Sequence, residues 1–180
     1  QAKGYIPTTE FYNRVYGQKG WKAITIRSLS IGQGEILVTP LQLANQAAAI
    51  ANKGYYITPH FNRNDSMKSD IHTTLVDSIH FDVVHRGMER VMTNGTGRWY
   101  NIPELQMCGK TGTVQNPHGE DHALFIGFAP KDNPQIAVAV AVENAGFGAT
   151  WACPMATLVM EQYLSGEIKR NWLYKRMLEA

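Results

Sequence analysis

QMCGKTGTVQN, residues 106–116, admits two structures. Its Gly-Lys-Thr either opens a helix and cradles a phosphate, or lies inside a β-strand. A Walker-type phosphate loop begins with a glycine separated by four residues from the Gly-Lys pair, because that glycine lets successive backbone N–H groups turn around the phosphates. Here the position holds an acid, Glu104. Such a loop also runs directly into a helix whose positive end meets the phosphate. Thr111 is instead followed by Gly112, Thr113, Val114 and the turn-forming QNPHG. The segment therefore reads as a strand over residues 107–115, with Lys110, Gly112 and Val114 facing one way and Thr111 and Thr113 the other. Gly112 leaves room for a ligand to lie against the backbone, Lys110 supplies a positive centre, and the two hydroxyls suit a carboxylate. Taken alone, a Lys-Thr-Gly is also what a polar surface strand would show.

C-terminal to this strand the pattern stays β-rich. LFIGFAP and QIAVAVAVE are separated by KDNP, residues 131–134, whose Asp, Asn and Pro form turns. An antiparallel hairpin follows from that spacing. In its second strand Ile136, Val138, Val140 and Val142 share one side, and Ala137, Ala139 and Ala141 the other. Both sides are apolar, which predicts a central strand with helices over both faces, one lying close over the alanines. After NAGFG, Pro154 opens a helix to about residue 164 that is apolar nearly all round. A basic amphipathic tail helix is expected over residues 169–178.

N-terminal to it, Val84, Met88, Val91 and Met92 fall at helical spacing, so a helix over residues 82–93 presents one apolar stripe and stops at NGTG. Residues 62–70 read as a polar loop, and residues 55–61 as a short edge strand or extended connection. Thr39, Pro40 and Gln42 make a capping box with proline at the first helical position. They open an alanine-rich helix over residues 40–53 that Gly54 ends. Helices, then strands, then a closing helix describe an α+β domain.

The chain has 180 residues, 44% of them hydrophobic, enough for one domain with a core. Seventeen basic side chains nearly balance fifteen acidic ones, so a net charge of +2 offers no electrostatic case for nucleic acid or an acidic membrane surface. The longest apolar run, residues 136–142, is far short of the roughly 20 residues that span a bilayer. Cys108 and Cys153 match no zinc spacing and are expected as buried free thiols, with a disulfide between them as the alternative. A start at Gln1 rather than methionine suggests a piece of a larger parent. His118 and His122 flank Gly119 in a hairpin loop rather than on one helix face, which argues against a metal site. His60, His72, His80 and His85 are expected at the surface or boundary, and Trp21, Trp99 and Trp151 as core or boundary anchors. SIGQG, residues 30–34, lacks the Gly-x-Ser-x-Gly order of a nucleophile elbow and reads as a turn.

Two stretches, SIGQGEILVTPLQLA (residues 30–44) and the 41-residue run from Cys108 to Gly148, together resemble the transpeptidase domain of class B penicillin-binding proteins, most closely the cell-elongation group known as penicillin-binding protein 2. The resemblance covers residues 21–165 or so. It implies the C-terminal part of the β-lactamase/transpeptidase-like fold, an antiparallel sheet with helices on both faces, with the N-terminal strands and nucleophile region missing. Residues 1–168 would be that portion of the domain, and 169–180 a basic tail. The implied activity is peptidoglycan D,D-transpeptidation, in which a serine attacks the D-alanyl-D-alanine of a stem peptide and passes the acyl group to an amine, with β-lactams trapping the serine. Lys110, Thr111, Gly112 and Thr113 would bind substrate, and Thr113 would add its N–H to the oxyanion hole. A D,D-carboxypeptidase, a serine β-lactamase-like hydrolase, or a silent scaffold domain are the alternatives. The resemblance implies no cofactor or metal. Its partners would be stem peptides, β-lactams and, through the parent, the cell-elongation machinery on the periplasmic face of the bacterial inner membrane, with the anchor outside this chain. No Ser-x-x-Lys or Ser-x-Asn occurs among the six serines, so no catalytic residue is expected in this chain. Those motifs would precede Gln1, the sheet would be incomplete, and pairing of two copies would be one response.

Overall fold

A computed structural model describes residues 2–61 and 70–179. Most of the polar loop read over residues 62–70 lies outside them. The chain divides after Gln42 into two compact units.

In the first unit, helix α1 (Thr9–Tyr16) is capped by Thr8, whose Oγ1 accepts the Phe11 N–H at 3.3 Å. Its Tyr12 is buried among the rings of Phe11, Tyr16 and Trp21. Glu35 accepts from the hydroxyls of Tyr12 (2.8 Å) and Tyr16 (3.3 Å). The Tyr12 bond above all holds the Glu35 carboxyl below its usual range. A short helix α2 (Ala23–Ile26) runs into a 3-10 turn, Arg27–Ile31. Gly32 and Gly34 then take φ of 74° and 79°, a left-handed backbone that suits glycine. Ser30 Oγ donates to Arg27 O at 2.7 Å. SIGQG is a structural turn, as its order suggested.

Helix α3 (Pro40–Ala51) starts on the expected capping box: Thr39 Oγ1 accepts the Gln42 N–H at 3.2 Å, and Gln42 Oε1 accepts the Thr39 N–H at 2.9 Å. It stops two residues before the expected end, because Lys53 and Gly54 adopt φ of 55° and 114°. Strands β1 (Tyr55–Ile57) and β2 (Ile71–Thr73) pair antiparallel. β2 was not anticipated, since three residues beside a polar stretch carry too little alternation to read. Helix α4 (Ser78–Thr93) begins four residues before the expected start, where Asp77 Oδ1 caps the Ile79 N–H at 3.0 Å. His85 lies inside the helix as expected, but contrary to the surface or boundary reading it is buried. Its Nε2 bonds Ile50 O at 2.7 Å, and its ring lies 4.9 Å from that of Phe128. Trp99 also departs from expectation, standing 74% exposed under the Arg98 guanidinium.

Strands β3 (Cys108–Val114), β4 (His122–Ala129) and β5 (Ile136–Val142) form one antiparallel sheet in the order β3-β4-β5. Helix α5 (Ala152–Ser165) packs on β4 and β5. Phe125, Val138, Cys153, Ala156 and Met160 make the core on that side. On the other face Phe128 and Cys108 meet Met88 of α4 and Ala51 of α3, with Ala137 beside them. Period-2 alternation thus sends Phe125 and Phe128 to opposite cores, each burial contributing about 1.5–3 kcal/mol. On β5 the valine side is covered by α5, whereas on the alanine side Ala137 packs beside Ala51 of α3 and Ala141 is exposed, so the expected helix cover of that face is partial. The strand is not central here: among the described residues it pairs only with β4. Helix α6 (Asn171–Leu178) closes the chain with Leu173 fully buried. It is tied to α5 through Arg170, whose Nε donates to the buried Glu161 at 2.9 Å. Both cysteines are buried free thiols. No helix among the described residues is long and apolar enough to cross a membrane.

Candidate functional site

The Gly-Lys-Thr question is settled by position: Lys110 and Thr111 sit in mid-strand, and the next element is strand β4, not a helix. β3 pairs with β4 along its whole length, from Cys108 opposite Phe128 to Val114 opposite His122. Among the described residues its other edge carries no strand. Cross-strand partners share a face, so Lys110 and Gly112 lie with Ile126 and Leu124 on the α4 side, and Thr111 and Thr113 with Phe125 and Ala123 on the α5 side. The four residues read as substrate-binding from the sequence are therefore contiguous on one edge strand, split between its faces as the alternation required.

Each has a defined setting. Lys110 is exposed, its Nζ donates to Thr111 O, and its stem lines a cavity of about 430 Å³ with Val84, Gly87, Met88, Val91 and Ile126. Among the described residues no carboxylate pairs with its ammonium. The Thr111 hydroxyl lies 2.9 Å from that of Thr96, on the loop that ends α4. Thr113 Oγ1 accepts the Gly148 N–H at 3.5 Å. Gly148 comes so near the strand that a Cβ there would collide with the carbonyls of Gly112 and Leu124, so only glycine permits the approach. Gly112 is less confined: an added Cβ would meet Leu124 Cβ at 3.3 Å, a tight contact that needs a shift of a few tenths of an ångström and not a backbone collision.

The loops beside the strand are held by polar contacts. Asn116 Nδ2 donates to Asn144 Oδ1 at 2.6 Å, the Asn144 N–H donates to His122 Nδ1 at 3.0 Å, and Asp121 O accepts from Ala145 and Gly146. An acceptor at Nδ1 places the His122 proton on Nε2. This histidine fixes a loop, and the His118 N–H closes a turn on Asn116 Oδ1 at 3.0 Å. Among the described residues no cluster of three His, Cys, Asp or Glu could hold a metal. Thr96 and Gly148 carried no local signal of this role, because they reach β3 from segments 15 and 35 residues away in the chain.

Chemically, an exposed ammonium and two hydroxyls along an open strand edge offer a carboxylate its charge-assisted hydrogen bonds. The same edge offers an extended ligand a backbone to pair with.

The family profile described as penicillin binding protein transpeptidase domain matches residues 8–161. The peptidoglycan D,D-transpeptidase MrdA of Acinetobacter baumannii is 34% identical over 188 residues, a match covering 91% of this chain and 28% of that protein. The crystal structure of Pseudomonas aeruginosa PBP2 in complex with WCK 5153 superposes with a TM-score of 0.78 at 36% identity, covering 96% of this chain and 40% of that one. Penicillin-binding protein A of Mycobacterium tuberculosis, as its ceftriaxone acyl-enzyme complex, gives 0.68 at 29% identity, covering 76% and 35%. The chain therefore spans well under half the length of these relatives. With its mixed helices, antiparallel sheet and Lys-Thr-Gly-Thr edge strand, this chain belongs to the penicillin-binding protein transpeptidase domain family.

Proposed function

We propose that this chain forms the substrate-binding wall of a peptidoglycan D,D-transpeptidase of the cell-elongation type. The observation that carries the reading is Lys110, Thr111, Gly112 and Thr113 in sequence on an open edge strand of a chain matched by the transpeptidase family. In this reading a stem peptide lies along β3 as an added strand. The Lys110 ammonium and the hydroxyls of Thr111 and Thr113 hold its terminal carboxylate, and the Thr113 N–H helps stabilise the oxyanion that forms on the attacked carbonyl. The serine and its lysine base come from sequence outside these 180 residues. Serine oxygen bonds to the penultimate D-alanine carbonyl, terminal D-alanine leaves with a proton, and an amine of a neighbouring strand then displaces the serine. A β-lactam carries its carboxylate to the same place. The reaction lies on the periplasmic side of the inner membrane, and the elongation machinery acts as partner.

The test uses the full-length product of the gene. It is expected to take one fluorescent penicillin per chain and to release D-alanine from a pentapeptide stem. Added amine should divert the acyl group into a cross-linked product. Release of D-alanine with no amine product would make it a carboxypeptidase, hydrolysis of the penicillin with turnover a β-lactamase-like enzyme, and no label at all a non-catalytic domain.

A further inference from the structure

Thr96 stands between two glycines in NGTG, residues 94–97, and those glycines seat the loop on the end of α4. A Cβ on Gly97 would meet Met92 Sδ at 2.6 Å, and one on Gly95 would meet the Val91 Cα at 2.8 Å. The Gly97 N–H donates to Val91 O at 3.0 Å, and the Asn94 N–H to Arg90 O at 2.9 Å. The loop backbone is thereby fixed against the helix. The one side chain it sends toward β3 is the Thr96 hydroxyl, 2.9 Å from the Thr111 hydroxyl.

Between two hydroxyls either oxygen can be the donor, but a bound carboxylate removes that freedom. A carboxylate only accepts, and a hydroxyl has a single proton. Once Thr111 donates to a ligand, its oxygen is left to accept, and Thr96 is placed to donate into it. The chain Thr96 O–H to Thr111 O–H to carboxylate then runs in one direction, each bond polarising the next. We propose that Thr96 is a positioning residue for carboxylate recognition, acting through Thr111; this rests on the reading of β3 as the carboxylate-binding strand.

Thr96→Val keeps the shape and removes the donor, whereas Thr96→Ser keeps the donor. In the full-length protein, acylation rates are measured with benzylpenicillin and with its methyl ester, at concentrations that label the wild type with both. Thr96→Val is expected to slow the free acid by about five- to tenfold, the effect of losing one neutral hydrogen bond that supports a charge-assisted one, and to change the ester less than about twofold. Thr96→Ser should stay within about twofold of wild type for both, as expected when the donor is retained. An unchanged rate with the free acid, or an equal loss with the ester, overturns the role, the latter showing only a staple between loop and strand. A wild-type protein that takes no label overturns the reading of the strand, and the inference falls with it.

Discussion

Cys108 and Cys153 show at the residue scale how burial alone sets chemistry. Both are fully buried, on opposite faces of the sheet. Loss of hydration pushes each thiol from 9.0 up to about 12. A folded-state value above the unfolded one means that the native protein holds these protons while the unfolded chain releases them. The stabilisation is complete below pH 9 and is lost as pH rises from there toward 12. Each thiol contributes up to about 1.4 kcal/mol per pH unit to that slope. Urea midpoints between pH 8.5 and 11 should fall more steeply for the wild type than for a Cys108→Ala, Cys153→Ala double variant, whatever the cavity cost of the substitutions. Equal slopes would show that the thiols ionise as readily inside as outside. Burial of two free thiols was readable because two cysteines match neither a zinc spacing nor a disulfide framework, and a free cysteine is usually buried. The burial of His85 was not, because its partners, Ile50 O and the Phe128 ring, are distant in sequence and a lone histidine on a helix gives no sign of them.

At the scale of elements, the β3-β4-β5 sheet was legible because alternation is a local property: IAVAVAV and LFIGFA carry their faces with them. Helix ends were legible where a capping pattern sat in the chain, as at Thr39 and Gln42, and misplaced where one aspartate, Asp77, did the capping alone. The attachment of α6 was hidden, since nothing near Glu161 marks it for the core. Its carboxylate is 3% exposed and receives both Arg170 Nε, at 2.9 Å, and the Lys169 N–H, at 3.0 Å, while the same guanidinium reaches Tyr100 O at 2.7 Å. Glu161→Ala leaves a guanidinium with only 15% of its surface in water and no counter-charge. It should cost about 3–5 kcal/mol, as broken buried pairs do. Hydrogen exchange should show the amides of α6 losing protection first. Replacing Glu161 and Arg170 together by methionine should recover most of the loss. An α6 that stays protected in Glu161→Ala would mean that Leu173 and the contacts of Arg176 with Tyr100 and Trp151 hold the helix without the ion pair.

For the molecule as a whole, the site's wall and the site's chemistry are separable. These 180 residues contain six serines, none in a Ser-x-x-Lys or Ser-x-Asn arrangement. Acylation requires a nucleophile with a base in hydrogen-bond reach. Lys110, Thr111 and Thr113 can orient a ligand but cannot form a bond to it. The orientation is also weak by itself. Each hydrogen bond to a charged group contributes roughly 1.5–3 kcal/mol, but association first costs roughly 4–15 kcal/mol in lost translational and rotational freedom, and an exposed ammonium loses part of its attraction to salt. This chain alone is therefore expected to gain no mass after incubation with excess penicillin and to show no saturable binding below millimolar concentration. The full-length protein should gain one adduct under the same conditions. In that protein Lys110→Ala should slow acylation by about tenfold or more, through loss of the positive anchor for the carboxylate, while the final stoichiometry stays at one. Peptide mapping decides the matter: an adduct on any of the six serines would show that the nucleophile lies within this chain and not outside it.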